Sequence, residues 1–112
     1  MLNNNNQISI RFADEFENNL YTLSKKYRSI RADVQPVIEQ IQTGNFSGDR
    51  IANLGENYFV LKVRVKNSNL QKGRRAGYRL IYQVESLTSI LLLTIYSKSD
   101  IENISVRKFI AL

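Results

Sequence analysis

The sequence of 112 residues predicts an α+β domain, and three observations carry that reading. Residues 58–66, 76–85 and 89–96 are short runs rich in Val, Ile, Leu and Tyr, bounded by turn signals, as strands are. Ahead of them, residues 14–28 and 29–42 repeat their apolar side chains at steps of three and four, the period of a helix. The strands follow one another directly, without a helix between each pair. Such an order favours an antiparallel run with the helices segregated beside it. At this length, with 43% apolar residues, residues 1–112 make a single domain able to bury a core.

In chain order, residues 1–6 are polar and Asn-rich and are expected to form a flexible tail. Residues 7–12 alternate Ile8 and Ile10 against Ser9 and Arg11, a short strand. Asp14 with Glu17 resembles a capping box at the start of a helix. Phe16, Leu20, Leu23 and Tyr27 form its apolar stripe, and Lys25, Lys26 and Arg28 gather at the end where the helix dipole favours cations. Ser29 is the expected cap of a second helix, whose stripe is Ile30, Val34, Val37, Ile38 and Ile41. Pro36 costs regularity and places the regular start of that helix at residues 33–36. Thr43 and Gly44 end it, and the near-absence of a linker makes the two helices a hairpin.

Residues 45–57 contain Gly48 and Gly55 and read as a loop, anchored by Ile51 and Leu54. In the strand 58–66, Phe59, Leu61, Val63 and Val65 face the core, while Tyr58, Lys62, Arg64 and Lys66 face away together with Val60. A basic loop and the strand 76–85 follow, with Tyr78, Leu80, Tyr82 and Val84 on its apolar face. A turn at 86–88 leads into residues 89–96, apolar almost throughout, the pattern of a central strand covered on both faces. Ser99 and Glu102 repeat the capping-box spacing and mark a C-terminal helix with Ile101, Ile104 and Phe109 as its contacts.

The charge is localised. No acidic residue lies between Glu56 and Glu85, whereas Lys62, Arg64, Lys66, Lys72, Arg74, Arg75 and Arg79 do. With these seven of the 16 bases set aside, nine bases face ten acids in the rest of the chain. A local basic patch attracts a polyanion. Lys62, Arg64 and Lys66 at alternate positions of one strand stand about 7 Å apart, close to the phosphate spacing of an extended nucleic-acid strand. A solvated outer face is the plain alternative for such a stripe. The Gly73-Arg74-Arg75 loop and Arg79 on the next strand favour RNA binding, with Lys66, Lys72, Arg74 and Arg75 gripping phosphate.

Several chemistries are excluded outright. The chain has no cysteine and no histidine, so disulfides, thiolate zinc sites, cysteine nucleophiles and Ser-His-Asp triads are impossible. No carboxylate cluster suggests a metal site, and no cofactor is expected. Residues 1–7 lack a signal-peptide core, and residues 90–93 form an apolar run far too short to span a bilayer, so the expectation is a cytoplasmic protein with no membrane partner.

Lys62-Val63-Arg64, then Gly77-Tyr78-Arg79-Leu80-Ile81-Tyr82-Gln83-Val84, then Leu92 to Lys98 ahead of an acidic helix start, form an ordered set that resembles the RelE/ParE toxin superfamily. The Gly48-Asp49-Arg50-Ile51 loop and Lys25-Lys26-Tyr27 resemble its HigB/RelE branch. The resemblance implies a RelE-like fold and the toxin of a type II toxin–antitoxin system. It implies a ribosome-dependent mRNA endonuclease that inhibits translation, needs no metal, and works by attack of the ribose 2′-hydroxyl on the adjacent phosphate. By the same resemblance Lys62 matches the general base, and Arg64 and Arg79 match the cations holding the scissile phosphate. The positions of the family's acid and of its stacking aromatic are Ser99 and Ser105 here, so Tyr96 and Lys98 become the candidates for proton donation or stacking. The implied partners are an antitoxin protein, mRNA and the ribosome. A ParE-type inhibitor of DNA gyrase and an RNA- or ribosome-binding relative without cleavage are the alternatives.

The chemistry is coherent without histidine or metal. A planar guanidinium fork meets two phosphate oxygens at once. A lysine acts as a base when its pKa falls, and neighbouring cations act in that direction. Such a site leans on electrostatics and on positioning of the substrate by a larger body.

Overall fold

The computed structural model describes residues 8–70 and 76–100. Strand β1 (Ser9–Phe12) leads to helices α1 (Asp14–Lys26) and α2 (Ile30–Gln42), and then to strands β2 (Asp49–Arg50), β3 (Val60–Val65), β4 (Tyr78–Ser86) and β5 (Ser89–Ser97). The five strands form one sheet in the order β1-β5-β4-β3-β2. β1 runs parallel to β5, and every other pair is antiparallel.

Both helices cover one face of the sheet. Phe16, Tyr27, Ile30, Val34 and Ile41 pack there against Leu61, Val63, Val65, Leu80, Tyr82, Leu92 and Ile95. Each such side chain, once buried, contributes roughly 1.5–3 kcal/mol of transfer free energy. The opposite face carries a smaller cluster of Val60, Ile81, Leu93 and Tyr96, joined by Ile51, Leu54 and Tyr58 from the segment after β2. β5 is therefore apolar on both faces, which is why its sequence does not alternate. A register shift contributes as well. Ile81 pairs with Thr94 but Tyr82 with Leu92, so Leu93 is an extra residue in β5. The bulge lets Leu92 and Ile95, three apart, join the same core cluster.

Several expectations are corrected. Ala13, not Asp14, is the N-cap of α1, and no side chain caps it. Asp14, Glu15 and Glu17 lie within the first turn, where they act through the helix dipole. α2 begins at Ile30, ahead of Pro36, because burial of Ile30 and Val34 fixes the first turn and the Asp33 N–H bonds to the Ser29 carbonyl at 2.9 Å. Pro36 sits in the helix interior and forfeits one hydrogen bond. Within the expected loop lies β2, a two-residue strand too short to leave a periodic signal. Phe59 is 41% exposed and stays out of the core, since β3 begins only at Val60. The Arg50 guanidinium lies over its ring, 4.7 Å from the centroid. The expected tail and the C-terminal helix from Ile101 onward fall outside the described residues.

Among the described residues no helix is long and apolar enough to cross a membrane.

Candidate nucleic-acid interface

The face opposite the helices is where the basic residues meet. β3 alternates, so Leu61, Val63 and Val65 enter the helix-side core while Lys62 and Arg64 share the other face with Val60. The β3–β4 register then sets Arg64 directly opposite Arg79, and Lys62 opposite Ile81. The β4–β5 register sets Arg79 opposite Tyr96. Arg64, Arg79 and Tyr96 thus form one row across three strands, with Lys62 one row away on the same face. Cross-strand neighbours on one face lie about 4.5–5.5 Å apart at their Cβ atoms.

Gly77 makes the end of this row possible. A Cβ there would lie 2.1 Å from the Val65 carbonyl oxygen, so only glycine lets the chain entering β4 come this close to β3. The Lys98 N–H bonds to the Gly77 carbonyl at 3.0 Å, which holds half-buried Lys98 just past the end of β5.

Exposure divides the group. Arg64 is exposed and Lys62 half-buried, whereas Arg79 and Tyr96 are almost wholly buried, at 6% and 3%. One Arg79 guanidinium nitrogen donates to the Tyr78 carbonyl at 3.2 Å. Burial lowers the Arg79 pKa, and the Arg64 charge lowers it further, while Tyr96 opposes both. Burial raises the Tyr96 pKa, against a lowering influence from Arg79. Arg64 has no ion-pair partner among the described residues, where carboxylates pair with Arg11 and Lys26 instead. Lys66, also exposed, follows directly after β3. Lys72, Arg74 and Arg75 lie outside the described residues.

A groove of about 740 Å³ runs alongside this face, between α2 and β3. Ala32, Asp33, Pro36, Val37 and Gln40 form one wall, residues 62–66 the other, and residues 47–49 close one end. At the other end, the Asp33 carboxylate accepts from the Ser68 N–H at 2.9 Å and from its hydroxyl at 3.0 Å. The groove exists because β2 is so short. Asp49 pairs with Lys62 and Arg50 with Leu61, but the preceding chain turns away at Gly48, whose φ is +113°. Sequence reasoning missed the groove, because it lies between elements and depends on where β2 stops.

No group of three or more acidic, His or Cys side chains is positioned for a metal among the described residues. No protein-family model, curated protein or solved structure matches the chain.

Proposed function

We propose that the chain is a RelE-like toxin of a type II toxin–antitoxin pair, an endoribonuclease that cuts mRNA on the ribosome in the cytoplasm. The observation that supports this reading best is the placement of Arg64 opposite Arg79 on adjacent strands, with Lys62 on the same face. Like charges directly opposite in a sheet destabilise it, and a phosphate shared between two guanidinium groups reverses that penalty. The resemblance of Lys62, Arg64 and the Gly77 to Val84 segment to the RelE pattern supports it independently.

In this mechanism Lys62 takes the proton of the ribose 2′-hydroxyl. The 2′-oxygen bonds to phosphorus, the bond to the 5′-oxygen breaks, and a cyclic phosphate and a free 5′-hydroxyl result. Arg64 meets the equatorial oxygens from the solvent side, and Arg79 adds charge from the sheet beneath. Tyr96 or Lys98 supplies the proton to the leaving oxygen. The antitoxin answers the same basic face.

A second reading, RNA or ribosome binding without cleavage, is favoured by one observation: Arg79 and Tyr96 are nearly out of solvent. The two separate in one experiment, in which ribosomes translating a defined mRNA receive purified protein and the RNA 5′ ends are mapped. The nuclease reading predicts new ends within ribosome-bound codons, absent with Arg64→Ala. Binding to ribosomes with no new ends supports the second reading and rejects the first.

A further inference from the structure

We propose that the edge of β3 bordering the α2 groove is a docking site for an extended segment of a partner protein, added to the sheet as a strand and acidic at alternate positions. The inference rests on the backbone of β3. The Ile51 N–H bonds to the Val60 carbonyl at 2.9 Å, and the Val84 N–H to the Phe59 carbonyl at 2.8 Å. Carbonyls of successive strand residues point to opposite sides, so those of Lys62, Arg64 and Lys66 point away from β4, as their N–H groups do. Two close approaches agree: a Cβ at Gly48 would lie 2.7 Å from the Lys62 carbonyl oxygen, and one at Gly77 would meet that of Val65 on the β4 side. β2 pairs with Lys62 and goes no further. The backbone groups of Arg64 and Lys66 thus face the groove with no strand beside them among the described residues.

The short strand already in place supplies the pattern. β2 sets acidic Asp49 opposite Lys62. A segment continuing its line sets residues opposite Arg64 and Lys66, on the face of those cations, and carboxylates there extend what Asp49 begins. The residue between them faces the helix side, where Pro36 and Val37 line the groove. The chemistry recognised is therefore acidic-apolar-acidic in extended form, with main-chain bonds giving affinity and alternate side chains giving specificity. A second copy of this chain fits poorly at the same edge, because its own Arg64 and Lys66 would meet these. The claim stands on the sheet edge and is independent of whether the protein cuts RNA.

The test uses the whole chain and a blocked pentapeptide alternating glutamate and valine. The Ile51 N–H points at β3, where it meets the Val60 carbonyl, so by the same alternation the amides of residues opposite Arg64 and Lys66 point at β3: the glutamate amides face it while the valine amides point away. Methylating the glutamate amides is expected to weaken binding about tenfold or more, and methylating the valine amides by no more than about threefold. The Arg64 and Lys66 amides should gain protection from hydrogen exchange when the peptide is bound. The Arg64→Glu/Lys66→Glu double variant, checked for folding by circular dichroism, should lose the peptide and bind one alternating lysine and valine. Equal effects of the two methylation patterns, no added protection, or no binding by about 5 mM peptide would each overturn the proposal. Protection of the same amides by oligouridylate and not by the peptide would assign the groove to RNA and equally reject it.

Discussion

Arg64 and Arg79 are opposite one another on neighbouring strands, yet their surroundings differ, and so should the consequences of removing them. Arg64 is exposed, so Arg64→Ala relieves repulsion without opening a cavity. Its stability should stay within about 0.5 kcal/mol of the parent in urea unfolding, while RNA binding falls. Arg79 is buried and its stem fills space, so Arg79→Ala confounds charge with packing, and Arg79→Met is the cleaner variant. Tyr82 gives a residue-level prediction with a sign. Burial pushes its pKa up to about 12, from an ordinary value of 10.0, and its hydroxyl donates to the Ser47 carbonyl. The folded state thus favours the protonated phenol. That stability is complete below pH 10 and is lost as pH rises through 10 towards 12. Tyr82→Phe should flatten this alkaline limb in urea titrations at pH 8 to 11, at a cost near neutrality of about 0.5–1.5 kcal/mol for the lost bond.

At the scale of elements, the long periodic segments were legible because burial enforces their period. The stripe from Phe16 to Tyr27, and the alternation of Lys62 and Arg64 against Leu61 and Val63, follow from one face being packed. β2 was not legible, since it exists only through Gly48 and the chain's return to β3. Gly48→Ala combines a positive φ with a contact on the Lys62 carbonyl. We expect a loss of more than about 1 kcal/mol and a shift of the Asp49 and Lys62 amide resonances. Phe59 was misjudged because alternation was carried one residue beyond the strand's true start. The face of Lys62 and Arg64 could be read from spacing, but which residue opposes which could not. Arg64 faces Arg79 only by virtue of the β3–β4 register. A smaller tie joins β1 to β4 across β5: the Glu85 carboxylate accepts from Arg11, which lowers its pKa, with Ser89 contributing. That stability is present above the ordinary carboxylate pKa and lost as pH falls through the lower folded value. Because the pair is substantially exposed, Arg11→Ala should cost less than about 1 kcal/mol at pH 7 and nothing once the carboxyl is protonated.

For the molecule as a whole, the sheet separates two jobs. Its helix side holds the larger core, and its other side gathers positive charge contributed by β3 and β4. Composition and spacing made the charge on β3 visible, while its meeting with Arg79 of β4 had to come from strand pairing. An interface of this kind should bind single-stranded RNA with a steep dependence on salt, and Arg64→Ala should reduce the slope of log K against log salt by about 0.7, the share of one phosphate contact. The central claim is that this face cleaves RNA. Mapping 5′ ends of a defined mRNA on translating ribosomes, with parent protein and with Arg64→Ala and Arg79→Met, tests it most directly. The account predicts 5′-hydroxyl ends within ribosome-bound codons for the parent and their loss in both variants. Ends that persist undiminished in both, or a parent that leaves the message intact, would contradict it.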